Sequence, residues 1–154
     1  MSTVHKFVSV KIGPEHADVD DIVQETLIGA AGSIGALRGS SRVHVTGWLL
    51  AIARHKVADH LRTRYRRLEA GLNPNVPDAA PPVDEVVASR DRAERVRLAL
   101  RELTPEQEEV VILRFILGFA INEVAELTNR PAGAVKSMQH RALANLQQRL
   151  SAEA

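Results

Sequence analysis

The stretch INEVAELTNRPAGAVKSMQHRA, residues 121–142, decides the fold class. Its spacing predicts a short helix from Ile121 to Thr128, a turn at Asn129-Arg130-Pro131, and a longer helix from about Pro131 to Leu150. Val135, Leu143, Leu146 and Leu150 read as the buried side of that last helix. Short helix, tight turn and longer helix are the parts of a helix-turn-helix. Helical hairpins share the pattern, so these residues alone do not select a DNA-binding unit.

Immediately upstream, Leu103-Thr104-Pro105-Glu106-Gln107 carries the signals of a helix start. Thr104 suits the N-cap, Pro105 suits the first helical position, and Gln107 would complete a capping box. That helix should run to about Leu117 and stop at Gly118. Another helix is expected over 86–102. Before it lies GLNPNVPDAAPPVDE, residues 71–85, with Pro74, Pro77, Pro81 and Pro82 and no helical periodicity. Proline removes backbone donors and disfavours helix in the residue before it, so the segment reads as an extended acidic linker. The expected organisation is therefore all-α: a helical module over 1–68, a linker over 69–85, and a second helical module over 86–154.

In the first module, Val19, Ile22, Val23, Thr26, Leu27 and Ala30 recur at helical spacing. Asp20, Asp21, Gln24 and Glu25 fall off that stripe. Leu37-Arg38-Gly39-Ser40-Ser41 reads as a loop. A long helix should follow from about Thr46 to Arg67, burying Leu49, Ile52, Ala53, Val57 and Leu61. His55, Asp59, Arg62 and Arg66 share another face, and Trp48 borders it, assigned here to the core.

Composition narrows the class. The chain has 154 residues, 45% of them hydrophobic but only 3% aromatic, so its cores must be built from Ala, Val, Leu and Ile. That favours closely packed helices over an aromatic-rich sheet. With no cysteine, disulfides and thiolate metal sites are excluded, and the chain suits a reducing cytoplasm. No stretch reaches the ~18 apolar residues of a membrane span, and no signal peptide is expected.

The net charge of +1 is uninformative, but its distribution is not. Residues 15–31 hold five acids and no Lys or Arg; residues 54–67 hold six Lys or Arg against Asp59. Residues 68–89 hold no Lys or Arg, and residues 131–150 hold three, with no acid. Solvated helix faces alternate in this way, and so do faces that meet different partners. Enzyme chemistry finds no pattern: the six histidines lack metal-ligand spacing, and there is no nucleophile elbow or glycine-rich phosphate loop. No metal, cofactor or catalytic residue is expected.

Two segments together resemble a known family. Asp20-Asp21-Ile22-Val23-Gln24-Glu25-Thr26, then Leu37-Arg38-Gly39, Gly47-Trp48-Leu49-Leu50-Ala51-Ile52-Ala53-Arg54 and Asp59-His60-Leu61-Arg62 resemble sigma region 2. Leu103-Thr104-Pro105-Glu106-Gln107, Leu113-Arg114, Gly118, Glu123-Val124-Ala125-Glu126, Gly133-Ala134-Val135-Lys136-Ser137 and His140-Arg141-Ala142 resemble sigma region 4. Both in order, joined by a Pro-rich linker, are the pattern of the extracytoplasmic-function (group 4) sigma factors. The resemblance covers about residues 5–68 and 86–150.

The resemblance implies a transcription-initiation subunit that binds core RNA polymerase and promoter DNA and is held by an anti-sigma factor. Asp20, Asp21, Gln24 and Glu25 would meet the clamp helices of the polymerase's largest subunit. The helix carrying Arg54, His55, Asp59, Arg62, Arg64, Arg66 and Arg67 would bind the −10 element, its cations acting on phosphates. Lys136, Ser137, Gln139, His140 and Arg141 would meet the −35 element, early in a recognition helix. Four departures stand out. The loop at residues 38–47 has no aromatic to hold an unstacked base. Met138 stands where relatives often carry Arg. Ala120 replaces a Ser or Thr N-cap, a loss of about 1 kcal/mol if uncompensated. Only a remnant is expected before the acidic helix, leaving region 2 short of a packing partner. The short N-terminus, the aromatic-free loop and Met138 lean toward an alternative, a sigma-like mimic that binds an anti-sigma factor without binding promoter DNA, whereas the basic helix with Lys136 and Arg141 favours promoter binding.

Overall fold

The computed structural model describes residues 2–14, 16–72 and 84–152, and side chains from Val87 onward in the last of these. It divides into two compact units, Met1–Pro82 and Val83–Ala154. Both are helical, and no strand occurs among the described residues.

The first unit is built from α1 (Thr3–Ile12), α2 (Val19–Gly32) and α3 (Arg42–Glu69), with one 3-10 turn at Ile34–Ala36. The segment read as a remnant is a capped, core-forming helix: Ser2 Oγ accepts from the His5 N–H at 3.2 Å, and Val4, Phe7, Val8 and Ile12 are buried. All three helices pack on one another. In α2, Val19, Ile22, Thr26 and Ala30 are buried as the spacing predicts, and the Thr26 hydroxyl is satisfied by the Ile22 carbonyl at 2.7 Å. Val23 is half-buried and Leu27 is 51% exposed, both departing from the expected stripe. By helical period they lie at the margin of the arc centred on Val19, Ile22, Thr26 and Ala30.

Helix α3 also departs from expectation. It starts at Arg42, four residues before Thr46, because Ser41 caps it: its Oγ accepts from the His44 N–H at 3.2 Å and lies 2.6 Å from His44 Nδ1. Gly39 adopts φ +80°, and a Cβ there would meet the His44 ring at 3.1 Å, so the turn into α3 requires glycine. The buried stripe is rotated from the expected one. Leu50, Ala53 and Val57 are buried, whereas Leu49, Ile52 and Leu61 are half-buried. Trp48, assigned above to the core, is half-buried.

The expected linker is narrower at both ends. Glu69 still belongs to α3, while Asp84 and Glu85 open the next helix. Gly71 and Leu72 form the exit from α3, and the four prolines of the linker lie outside the described residues.

The second unit contains α4 (Asp84–Arg101), α5 (Pro105–Val111) prolonged by a π-turn at Ile112–Ile116, α6 (Ile121–Thr128) and α7 (Ala132–Ala152). Leu100, Leu103, Val110, Ile112, Leu113, Phe119, Val124, Val135 and Ala142 form its core. Ala142 takes the place expected for Leu143, which is exposed; a small residue allows the close approach of α5 to α7. Leu146 and Leu150, also read as core, are half-buried. On α4, Arg97 Nε donates to Glu94 Oε2 at 2.7 Å, and a second, shorter bond joins the same pair. That hydrogen bonding holds the Glu94 carboxyl below the usual carboxylate range, against a partial opposing effect of burial.

Each boundary of the second unit has its own stop or start. Thr104 Oγ1 accepts from the Gln107 N–H at 3.2 Å, with Pro105 at the first helical position. The expected capping box is half made, since Gln107 Oε1 is buried without a hydrogen-bond partner. Gly118 adopts φ +78° after the π-turn, and the Phe119 N–H returns to the Leu113 carbonyl at 3.0 Å. Ala120 caps nothing, but Glu123 Oε1 accepts the Ala120 N–H at 2.9 Å. The loss expected at Ala120 is thereby partly offset.

Candidate functional site

The helix-turn-helix is closed by a left-handed residue. Asn129 sits at φ 52°, ψ 46°, a conformation that Asn tolerates better than most residues. The Arg130 N–H reaches back to the Ala125 carbonyl at 2.9 Å and the Asn129 N–H to Glu126 at 3.2 Å, the bonding of a Schellman motif. Val124 and Val135, one on each helix, are fully buried and lock α6 against α7.

That packing turns one side of α7 outward. Gly133, Lys136, Ser137, His140 and Arg141 lie on it, all exposed. The Ser137 hydroxyl donates to the Gly133 carbonyl at 3.1 Å, and Arg141 Nε points toward the Ser137 carbonyl at 3.4 Å. Gln139 stands apart from this group: it is half-buried, and its Oε1 is buried without a partner. Met138, singled out for its missing charge, is half-buried under the turn, and the Arg130 guanidinium lies 3.4 Å from its sulfur. A cation from the turn thus occupies the neighbourhood where the helix itself has none.

On α3, His55, Asp59, Arg62, Arg66 and Arg67 are exposed, and Arg64 is half-buried. Three of the side chains grouped there are engaged within the unit. Arg54 lies 5.9 Å above the buried Phe7 ring, a cation–π arrangement. Arg62 Nη2 pairs with Asp59 at 2.8 Å, and that pair is exposed on both sides. Beside them stands Tyr65, 69% exposed, which the sequence reading passed over. Its exposure was not legible from spacing, since Tyr65 stands four positions after Leu61 and eight after Val57, at the edge of the expected stripe.

The α2 face is more apolar than its composition suggested. Asp20, Asp21, Gln24 and Glu25 are all exposed. Asp20 lies 3.5 Å from His5 Nε2, and Glu25 lies 3.7 Å from Lys56 Nζ on α3. Asp21 and Gln24 lead, at spacings of three and four, to Ile28, which is 71% exposed. Leu27 and Ile34, the latter 65% exposed, are further exposed apolar side chains of this unit. Ile28 and Ile34 carried no assignment in the sequence reading, which looked for charge on that side of α2.

Comparison with known proteins matches both units. Residues 3–67 match the Sigma-70 region 2 family and residues 93–146 match Sigma-70, region 4. The chain is 34% identical over 148 residues to the ECF RNA polymerase sigma factor BldN of Streptomyces coelicolor, covering 94% of this chain and 54% of that protein. It is 30% identical over 134 residues to the ECF RNA polymerase sigma factor ShbA of Streptomyces griseus, covering 83% of this chain and 69% of that one. It spans between about half and two thirds of the length of most of the curated relatives it matches. Among solved structures, CnrH in complex with the cytosolic domain of CnrY aligns with a TM-score of 0.66 at 24% identity, covering 98% of this chain and 82% of that one. The sigma factor RpoE in complex with the anti-sigma factor NepR from Bartonella quintana aligns with a TM-score of 0.62, also at 24% identity, covering 97% of this chain and 91% of that one. At that identity the likeness speaks to the fold. Two sigma-70 regions matched in order, together with a 30% identical relative covered over 69% of its length, establish that this chain belongs to the sigma-70 family, among its extracytoplasmic-function members.

Proposed function

We propose that the chain directs transcription initiation in the cytoplasm as a sigma factor, without catalysis of its own. In this reading the exposed α2 face carrying Asp20, Asp21, Gln24 and Glu25 docks on core RNA polymerase. Ile28 would supply apolar contact area, and the acids and amide would supply orientation and on-rate. The α3 surface would meet the −10 element, with Arg64, Arg66 and Arg67 on phosphates and His55 and Asp59 nearer to bases. Tyr65 offers a stacking surface that the loop at residues 38–47 lacks. The outward side of α7 would meet the −35 element through Lys136, Ser137, His140 and Arg141, with Gln139 at its margin and Arg130 beside Met138.

One observation carries this reading: the capped helix-turn-helix turns Lys136, His140 and Arg141 outward together, on the helix whose N-terminal half would enter a major groove. A protein that only captured a regulator would not need that cationic side. Run-off transcription with purified core polymerase tests it, comparing the unaltered chain with Asp21→Arg/Gln24→Ala and with Arg64→Ala/Arg66→Ala/Arg67→Ala. The first variant should lose core affinity with helix content unchanged. The second should retain core affinity and weaken promoter binding about equally across sequences. Its salt slope should fall by about one for each phosphate that is no longer neutralised.

The mimic reading has specific support as well. Arg54 and Arg62 are engaged by Phe7 and Asp59, which subtracts from the cations available to DNA. The structural neighbours CnrH and RpoE both stand in complexes, RpoE with an anti-sigma factor by name. An anti-sigma factor is accordingly proposed as a partner under either reading. A holoenzyme that forms but protects no promoter, with none of the arginine substitutions altering any activity, would decide for the mimic.

A further inference from the structure

The loop between α1 and α2 brings His16 and Asp18 together with His60 of α3, which lies 42 to 44 positions further along the chain. One potential ligand atom from each falls within 4.8 Å of the other two. Asp18 Oδ2 is 3.6 Å from His16 Nδ1 and 3.5 Å from His60 Nδ1. Four-coordinate zinc with bonds of about 2.0–2.1 Å sets its ligands roughly 3.3–3.4 Å apart. The two separations from the carboxylate are therefore within about 0.3 Å of that spacing, and the two imidazoles lie within 4.8 Å of each other. We propose that His16, Asp18 and His60 form a binding site for a divalent transition-metal ion of the zinc class.

The Asp18 N–H donates to His16 Nδ1 at 3.1 Å, and a metal ion ligated at that nitrogen would displace this hydrogen bond, since an imidazole nitrogen offers a single lone pair. The rings of His16 and His60 meet edge to face, 5.2 Å between centroids, which keeps the two imidazoles side by side at the carboxylate. Both imidazoles are largely shielded, with 24% and 17% of their side chains exposed, while Asp18 at 45% leaves an entry path. Two imidazoles and one carboxylate suit zinc, cobalt, nickel or copper, rather than magnesium or calcium, which take oxygen sets. Three protein ligands leave a fourth position for water or for a donor from a bound partner.

The site would pin the α1–α2 connection to α3 one turn before Arg64, adding a cross-link to the first unit that its small apolar core lacks. Untagged full-length protein titrated with Co²⁺ alone at pH 7.5 should give saturable one-to-one visible absorption, displaced by Zn²⁺. Zn²⁺ should also raise the melting temperature, and chelation should reverse the rise. His16→Ala, in the loop, and His60→Asn, on α3, should each weaken Co²⁺ binding more than about tenfold, since even outer-shell changes cost 10–100-fold. Circular dichroism on both variants separates lost ligation from lost fold, and His16→Ala empties no core position. Absent saturable binding, or Co²⁺ binding of unchanged strength in His16→Ala, would overturn the site. Metal binding is read directly here, so the outcome is independent of whether the protein starts transcription.

Discussion

The two units reach a helical fold by different means. In the second unit the helix boundaries from α5 to the start of α7 are written locally: Thr104 and Pro105 open α5, Gly118 ends its π-turn, Glu123 closes the start of α6, and Asn129 turns the chain into α7. In the first unit Ser2 and Ser41 open α1 and α3, but which side of α2 and α3 goes inward is set by mutual packing. Local chemistry fixes where helices begin and end. It does not fix how far a helix is rotated about its own axis when several apolar residues compete for one contact.

The largest expected effect tests that rotation. Leu50→Ala should destabilise the first unit by about 2–5 kcal/mol, because Leu50 is 1% exposed. Leu49→Ala, one position along and half-buried, should cost clearly less. Urea unfolding of the full chain, with amide exchange to assign the loss to α1–α3, checks both. Equal costs would mean that the stripe is not rotated as described.

Next in size is the punctuation of the second unit. Glu123→Ala removes the acceptor for the Ala120 N–H and should cost about 0.5–2 kcal/mol. Ala120→Ser should move stability the other way, by supplying the missing half of the box. Gln107→Ala should not lower stability through capping, since its Oε1 makes no hydrogen bond. Thermal melts of the three variants side by side would distinguish a real cap from a sequence match to one.

The smallest effect is electrostatic. Glu94 has a folded pKa below its unfolded value of about 4.3, so its pairing with Arg97 stabilises the folded chain above that value. The contribution is lost as pH falls through the lower, folded pKa. The Glu94 side chain is nearly half exposed, so solvent screening limits the pair to about 0.2–1 kcal/mol. Glu94→Gln should be less stable than the unaltered chain at pH 7 by that margin, and the gap should narrow once pH falls below the unfolded value and close below the folded one. Denaturant midpoints at several pH values provide the measurement.

Much of the surface placement was legible because it rests on local signals. The outward placement of Lys136, His140 and Arg141 follows from helix period and turn position, both visible in residues 121–142. Gln139 is half-buried because its position on α7 borders the side that packs inward, and one helical step decides between exposed and buried. Ile28 and Ile34 carried no assignment, since an apolar residue shows its exposure only when the neighbouring helices are seen to leave it uncovered.

Sequence by itself determined the all-α class, the helix-turn-helix and its caps, and the alternation of acidic and basic faces. Each depends on residues within about one helical turn of one another, where hydrogen bonds and backbone conformation are settled by neighbours in the chain. Tertiary structure alone decided that Leu50 rather than Leu49 is buried, that Arg130 lies at Met138, and that His60 meets His16 and Asp18. Those outcomes depend on side chains from separate elements sharing one volume, and only the packed arrangement brings them within a few ångströms.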